Sequence, residues 1–216
     1  MFRRRKAEVE VAATDSAEEA EEVEARTGPR AEGPWDVSEV DIPEDDQTRV
    51  DLGSLLVTPH EGLDVQLQVD ETSGQVAAVI MAGEQGAVEL RAFAAPRNGD
   101  IWDDVRRQVA GEVARLGGTA TEAEGAWGTE LRVALTVALP DGQHAQQASR
   151  VVGIAGPRWL LRATLFGRPA VEYDPDGDVE KAVRDVVVVR GGTPIPPGDP
   201  LPLTVPPGAQ RLEPQQ

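Results

Sequence analysis

"GPRWLLRATLFG" (156–167) is the most apolar and most regularly patterned stretch of the chain, and its phase decides the fold. Taken as a strand, it places Trp159, Leu161, Ala163 and Leu165 on one face and Arg158, Leu160, Arg162, Thr164 and Phe166 on the other. The first face is wholly apolar and is expected to lie beneath helices. The second carries two arginines among apolar side chains. It is expected to be an open sheet face, with arginine stems along apolar surface and heads in water. The competing expectation is that this face is covered by a partner, or by the Pro-rich segment 193–206 docking over Leu160 and Phe166.

The flanking sequence repeats the same period. "LDVQLQV" (63–69) alternates Leu63, Val65, Leu67 and Val69 with Asp64, Gln66 and Gln68, the pattern of a half-buried strand. Residues 75–96 read as two strands around a turn at Gly83–Gly86, and 119–167 as up to four more, broken at Gly125/Gly128, Pro140-Asp141-Gly142 and Gly156-Pro157. Two helical patterns interrupt them. Ile101, Val105, Val109, Val113 and Leu116 form one stripe, with Asp100 placed to cap it and Gly117-Gly118 to end it. Val179, Ala182, Val183, Val186 and Val187 form another, although the β-branched run 186–189 suits a strand equally. Hairpin-length connections then imply an α+β domain: a single, largely antiparallel sheet of about six to eight strands with two main helices.

Composition sets the boundaries. The 216 residues carry 38 acidic and 21 basic side chains, a formal charge of −17, so affinity for a phosphate backbone is disfavoured and no nucleic-acid partner is expected. Cysteine is absent, which removes thiol catalysis and thiolate metal sites. Residues 7–46 hold 15 acidic against 2 basic residues, too little apolar matter to offset ordering entropy. The organisation expected is a disordered acidic tail with a basic start over 1–47, one folded domain over 48–190, and a Pro-rich strap with a frayed end over 191–216. "MFRRRK" leads into no apolar run, and no stretch has the length of a membrane span, so a soluble cytoplasmic protein is expected.

Chemistry-bearing motifs are scarce. His60 and His144 have no partner at metal-ligand spacing, with His144 expected in a turn. "DPDGD" (174–178) opens a helix and lacks the terminal Glu of a calcium loop. No Gly-x-Ser-x-Gly elbow, phosphate loop or dinucleotide fingerprint occurs. No catalytic residue, metal or cofactor is therefore assigned. The segment "APRNGDIWDDVRRQV" (95–109) stands out, because Arg97, Trp102 and Arg106 gather at a helix start, and Arg and Trp are the types that anchor protein interfaces.

"FAAPRNGDIWDDVR", "GGTATEAEGAWGTEL" and "GPRWLLRATLFGRPAV", followed by "VRDVVVVRGGTPIPPGDPLPL", resemble an actinobacterial family catalogued as domain of unknown function 3710. The resemblance covers roughly residues 35–205 and implies a cytoplasmic bacterial protein, with no activity or site residues to carry over. The layout is also loosely similar to Mog1/PsbP-like sandwiches, an analogy of fold alone. The function expected is a non-enzymatic protein-binding or adaptor domain. It would use Arg97, Trp102, Arg106, Arg158 and Arg162 to engage a protein partner's carboxylates by bidentate pairing. The alternative is a small-molecule or nucleotide-binding enzyme with a pocket between sheet and helices.

Overall fold

The computed structural model describes residues 30–43, 45–138 and 142–209. The fold begins with three short strands, β1 (Trp35–Asp36), β2 (Val50–Asp51) and β3 (Leu55–Val57). Seven longer ones follow: β4 (Asp64–Val69), β5 (Val76–Ala82), β6 (Gly86–Ala94), β7 (Thr119–Gly125), β8 (Gly128–Ala138), β9 (His144–Gly156) and β10 (Trp159–Gly167). The seven make one antiparallel sheet in the order β4-β5-β6-β10-β9-β8-β7. The chain after β10 gives two short helices, α2 (Arg168–Val171) and α3 (Asp178–Arg184), and a last strand, β11 (Val187–Val188). This strand joins β1 in parallel and β3 antiparallel, closing a second sheet in the order β1-β11-β3-β2.

The expectation of a single sheet is thus corrected to two. Strands of two or three residues are too short to show a period in the sequence, which is why the small sheet was not foreseen. The alternating phase of β10 decides how the layers stack. Leu161 lies opposite Ala92 and Ile154, and these belong to the core shared with Leu55 and Val188 of the small sheet, Leu52 between β2 and β3, and Val183 of α3. Leu160 and Val151 point the other way, into a separate core with Trp102 and Val113 of the one long helix, α1 (Trp102–Arg115). The long helix therefore covers the mixed face, not the apolar one, and the two main helices expected are one long and two short. Four inter-strand steps separate β6 from β7, about 19 Å, and a 14-residue helix is about 21 Å long. That match lets α1 carry the chain across β10, β9 and β8 on the Leu160 side.

Four local expectations also change. Leu116 ends the helix with 71% of its surface exposed, outside the stripe. His144 starts β9 and is not in a turn. Arg158 lies in the β9–β10 turn, not in strand register with Leu160. The domain boundary lies upstream of residue 48, because Trp35–Asp36 pairs with β11 and Arg30 and Asp36 are buried. The rest of the expected acidic tail, residues 1–29 and Glu44, lies outside the described residues.

The Pro-rich segment docks, but against the opposite face from the one expected. β5 pairs with β6 only as far as Leu90, so the outer edge at Ala92 and Ala94 is open to another chain. Leu201 N–H donates to the Ala92 carbonyl (2.9 Å), and Ala94 N–H donates to the Asp199 carbonyl (2.9 Å). Further on, Thr204 N–H donates to Leu52 and the Pro202 carbonyl accepts from Ser54. Proline supplies carbonyls without competing donors, which suits a strand bridging two sheet edges. Leu201 is buried in the core beneath the apolar face, with Ile195 and Leu203 packed at its border. Leu160 is buried beneath α1 instead.

Leu201→Ala is expected to cost about 2–4 kcal/mol, lowering the melting temperature by roughly 4–16 °C at 2–4 °C per kcal/mol. Calorimetry checks this, and an unchanged melting temperature would show that the segment does not close the core.

Candidate functional site

Pro157 and Arg158 are the two central residues of the β9–β10 turn. Proline fixes the first at φ near −65°, and the second takes φ +60°, a position that favours Gly or Asn in a type II turn. Arg158 is the one non-glycine residue with positive φ among those described. Its carbonyl is clamped by Ala95 N–H (2.9 Å) and by Arg190 Nε (3.2 Å), which offsets the strain. On either side the backbone is pressed against indoles. A Cβ at Gly156 would fall 2.1 Å from the Trp159 ring, and one at Gly153 would fall 2.2 Å from Trp102. Glycine is needed at both places.

Next to this turn, the β6–α1 connection brings in Arg97 and the start of α1. Asp100 accepts from Trp102 N–H, although Ile101 occupies the cap position itself. The two segments wall a cleft of about 580 Å³, lined by Arg30, Arg97, Trp102, Arg106, Trp127 and Arg158 among others. A second recess of about 580 Å³ shares Pro96, Arg97 and Arg158 with it and adds Arg190 and Pro194–Pro197.

Four of the five residues expected to bind a partner therefore line one cleft, but not in equivalent states. Trp102 is buried and its Nε1 donates to the Thr129 carbonyl (2.7 Å). Arg106 is committed to Asp103 and Glu122, both at 2.8 Å, with its guanidinium 5.9 Å from the centre of the Trp102 ring. Arg97 and Arg158 are exposed and, among the described residues, make no ion pair or side-chain hydrogen bond. Arg162 is elsewhere. It lies over the Phe93 ring (5.4 Å) and 3.6 Å from Glu89, and it lines neither cavity. Burial, and then the like charge of Arg91, hold its guanidinium below the ordinary arginine value despite Glu89.

Arg190 was not singled out in the sequence. It is 9% exposed and donates to the carbonyls of Arg158, Thr193 and Ile195, with no carboxylate paired to it. The corner thus holds three arginines without a counter-ion in a chain of net charge −17. A different ionic group is fully neutralised: Arg150, completely buried, binds Glu180 of α3 (2.8 Å) and lies 4.0 Å from Glu130, itself paired to Arg132 (2.5 Å). Its alternating charges join β8 and β9 to α3. Arg150 shares the strand phase of Val152 and Ile154, the signal that could have found it.

His60 lies 3.2 Å from Asp185, and no group of three metal-ligating side chains occurs among the described residues. No described helix is long and apolar enough to cross a membrane.

The class defined by this geometry is a two-sheet α+β domain with an arginine-bearing cleft at one corner. The chain belongs to the family described as protein of unknown function (DUF3710), whose model matches residues 33–212. No curated protein matches it. The match takes in the segment around Trp35 that composition alone assigned to a tail.

Arg158→Gly is expected to raise stability by about 0.5–1 kcal/mol by removing the left-handed strain, a gain of roughly 1–4 °C in melting temperature. Arg158→Ala keeps the strain and should give no such gain. Equal effects of the two variants in a denaturant titration would show that the turn is unstrained.

Proposed function

We propose that this domain is a non-enzymatic protein-binding or adaptor module that engages carboxylates of an acidic partner through Arg97 and Arg158. The observation that supports it is the unpaired state, among the described residues, of these two arginines lining one cleft. Most other described arginines already hold an acid or a carbonyl. Two planar forks lining one cleft suit bidentate pairing with carboxylates on an extended segment. In this reading Trp102 and Arg106 shape the wall, Arg190 adds positive potential from behind the turn, and Arg162 has no part. The proposal places the domain in an actinobacterial cytoplasm, which the family resemblance supports, and treats the fold as an analogue of Mog1/PsbP-like sandwiches.

A second reading, a small-molecule or nucleotide-binding enzyme, draws on the size of the cleft, which falls within the range of ligand pockets. It has less support, since the cleft's two carboxylates are already committed, Asp100 to Trp102 N–H and Asp103 to Arg106.

A fluorescent Glu-rich decapeptide titrated by anisotropy at low salt is expected to bind saturably. Arg97→Ala/Arg158→Ala should weaken it about tenfold, equivalent to about 1.4 kcal/mol, and added salt should weaken it further. Binding unaffected by the double variant would reject this surface. Saturable thermal stabilisation by nucleotides or sugar phosphates instead of peptide binding would favour the second reading.

A further inference from the structure

The recess behind the β9–β10 turn differs in kind from the other concave surfaces. The cleft in front of the turn has Asp100 and Asp103 in its wall, and the pocket at the start of α3 is lined by five carboxylates and a single arginine, Arg168. The recess is walled by Arg97, Arg158 and Arg190, by Pro96 and three prolines of 194–197, and by two aliphatic side chains, with no acid among them. Resting on the reading above, we propose that this recess receives a phosphorylated side chain of the acidic partner, held by Arg97, Arg158 and Arg190, while the cleft takes the carboxylates that flank it.

Charge is the first reason. A side-chain carboxylate brings one negative charge, whereas a phosphomonoester brings about −1.5 to −2 at pH 7 and three strong acceptor oxygens. Three guanidinium groups lining one acid-free recess exceed what a single carboxylate neutralises, and a dianion balances them better. The planar fork of arginine pairs with phosphate oxygens two at a time, so three forks suit a tetrahedral group. In a chain of net charge −17 such a concentration of unopposed positive charge marks the place where a dianion meets least repulsion.

Arg190 is the second. It is only 9% exposed, and Nε, Nη1 and Nη2 donate to the carbonyls of Arg158 (3.2 Å), Thr193 (3.1 Å) and Ile195 (3.4 Å). A guanidinium has five N–H groups, so two are left over. The carbonyls hold the fork in place, but they do not cancel its charge, and a cation withdrawn from water without an anion is costly. An anion in the recess offsets that cost and finds the fork already ordered. Arg190 lines the recess and not the cleft, which separates the two halves of the surface.

The prolines are the third. Proline has no N–H, and the Ala95 amide is spent on the Arg158 carbonyl, so the wall is poor in main-chain donors. A chain-terminal carboxylate is commonly captured by a nest of backbone amides, whereas phosphorylated motifs are recognised by clusters of arginine side chains. The recess has the second kind of chemistry. Its proline rings are apolar, and a less polar wall strengthens each charge-assisted hydrogen bond made there.

Three fluorescent decapeptides, titrated by anisotropy into the full-length protein, test this: the Glu-rich peptide, the same peptide with a central phosphoserine, and a charge-matched peptide with serine and one extra glutamate there. The phosphoserine peptide is expected to bind about tenfold more tightly than the charge-matched one. Arg190→Gln should bring that ratio close to one. Because Arg190 also braces the turn, Pro196→Glu serves as a second variant: Pro196 is exposed, and glutamate there sets a carboxylate in the recess wall without altering any arginine. It too should abolish the preference. A ratio near one in the unaltered protein, with the Glu-rich peptide still bound through Arg97 and Arg158, overturns the phosphate site and leaves the carboxylate reading standing. A preference that survives Pro196→Glu places the phosphate elsewhere and overturns it as well. Displacement of the phosphopeptide by inorganic phosphate at equal concentration means that the recess takes the free ion, which overturns the assignment to a partner's side chain. Binding of none of the three peptides overturns both readings.

Discussion

The indole of Trp159 is the point at which the two sheets meet. It has no exposed surface, and it packs in the core that the large sheet shares with the small one. Its Nε1 donates to Asp36 Oδ2 (2.7 Å), and the Arg30 guanidinium lies 5.4 Å from its ring centre. Asp36 in turn accepts from the Ser38 amide and hydroxyl, while its own amide donates to Glu39 Oε2 (2.6 Å). Arg30 closes the circuit through Glu39. A single buried donor thus fixes a short acidic segment that has little apolar area of its own. That is why residues around Trp35 fold despite their composition. An indole N–H placed in a core needs an acceptor, and a buried carboxylate needs donors; each supplies the other.

The same indole sets the conformation of the corner. Trp159 follows Arg158 directly, and its ring fills the space a side chain at position 156 would take. The turn between them has two residues, one of them a proline, so Arg158 is left with positive φ and an outward side chain. Arg190 then reaches the Arg158 carbonyl from the end of the small sheet, and Ala95 reaches it from the end of β6. Three separate parts of the chain hold a strained arginine in place. The backbone at Arg158 is thus fixed before a ligand arrives, and the exposed side chain alone remains to be ordered. On the other side of the molecule, the buried Arg150–Glu180 pair joins the large sheet to α3 with its charges internally balanced, leaving nothing over for a partner.

The large sheet was legible because β4 and β10 alternate and glycine- and proline-bearing turns punctuate the rest, so its strands and the turn at Gly83–Gly86 could be read from period and turn residues together. The side on which α1 lies was not. The mixed phase of Leu160 and Phe166 looks wet, and the sequence carries no sign that a helix shields half of it. The small sheet was invisible because two-residue strands have no period, and the 30–43 segment because its stability comes from Trp159, over a hundred residues away. Arg97 and Arg158 were found through residue type and turn context. Arg162 was included through a strand phase that Arg158 does not share, and Arg190 was missed because its role depends on carbonyls brought together only by the fold.

A double-mutant cycle on Asp36→Ala and Trp159→Phe, followed by denaturant unfolding, tests the junction directly. A hydrogen bond from a buried indole to a buried carboxylate should give a coupling of about 1.5–3 kcal/mol, with each single variant losing most of what the pair loses. Additivity within about 0.5 kcal/mol would contradict the account, because the two sheets would then be joined by something other than this contact.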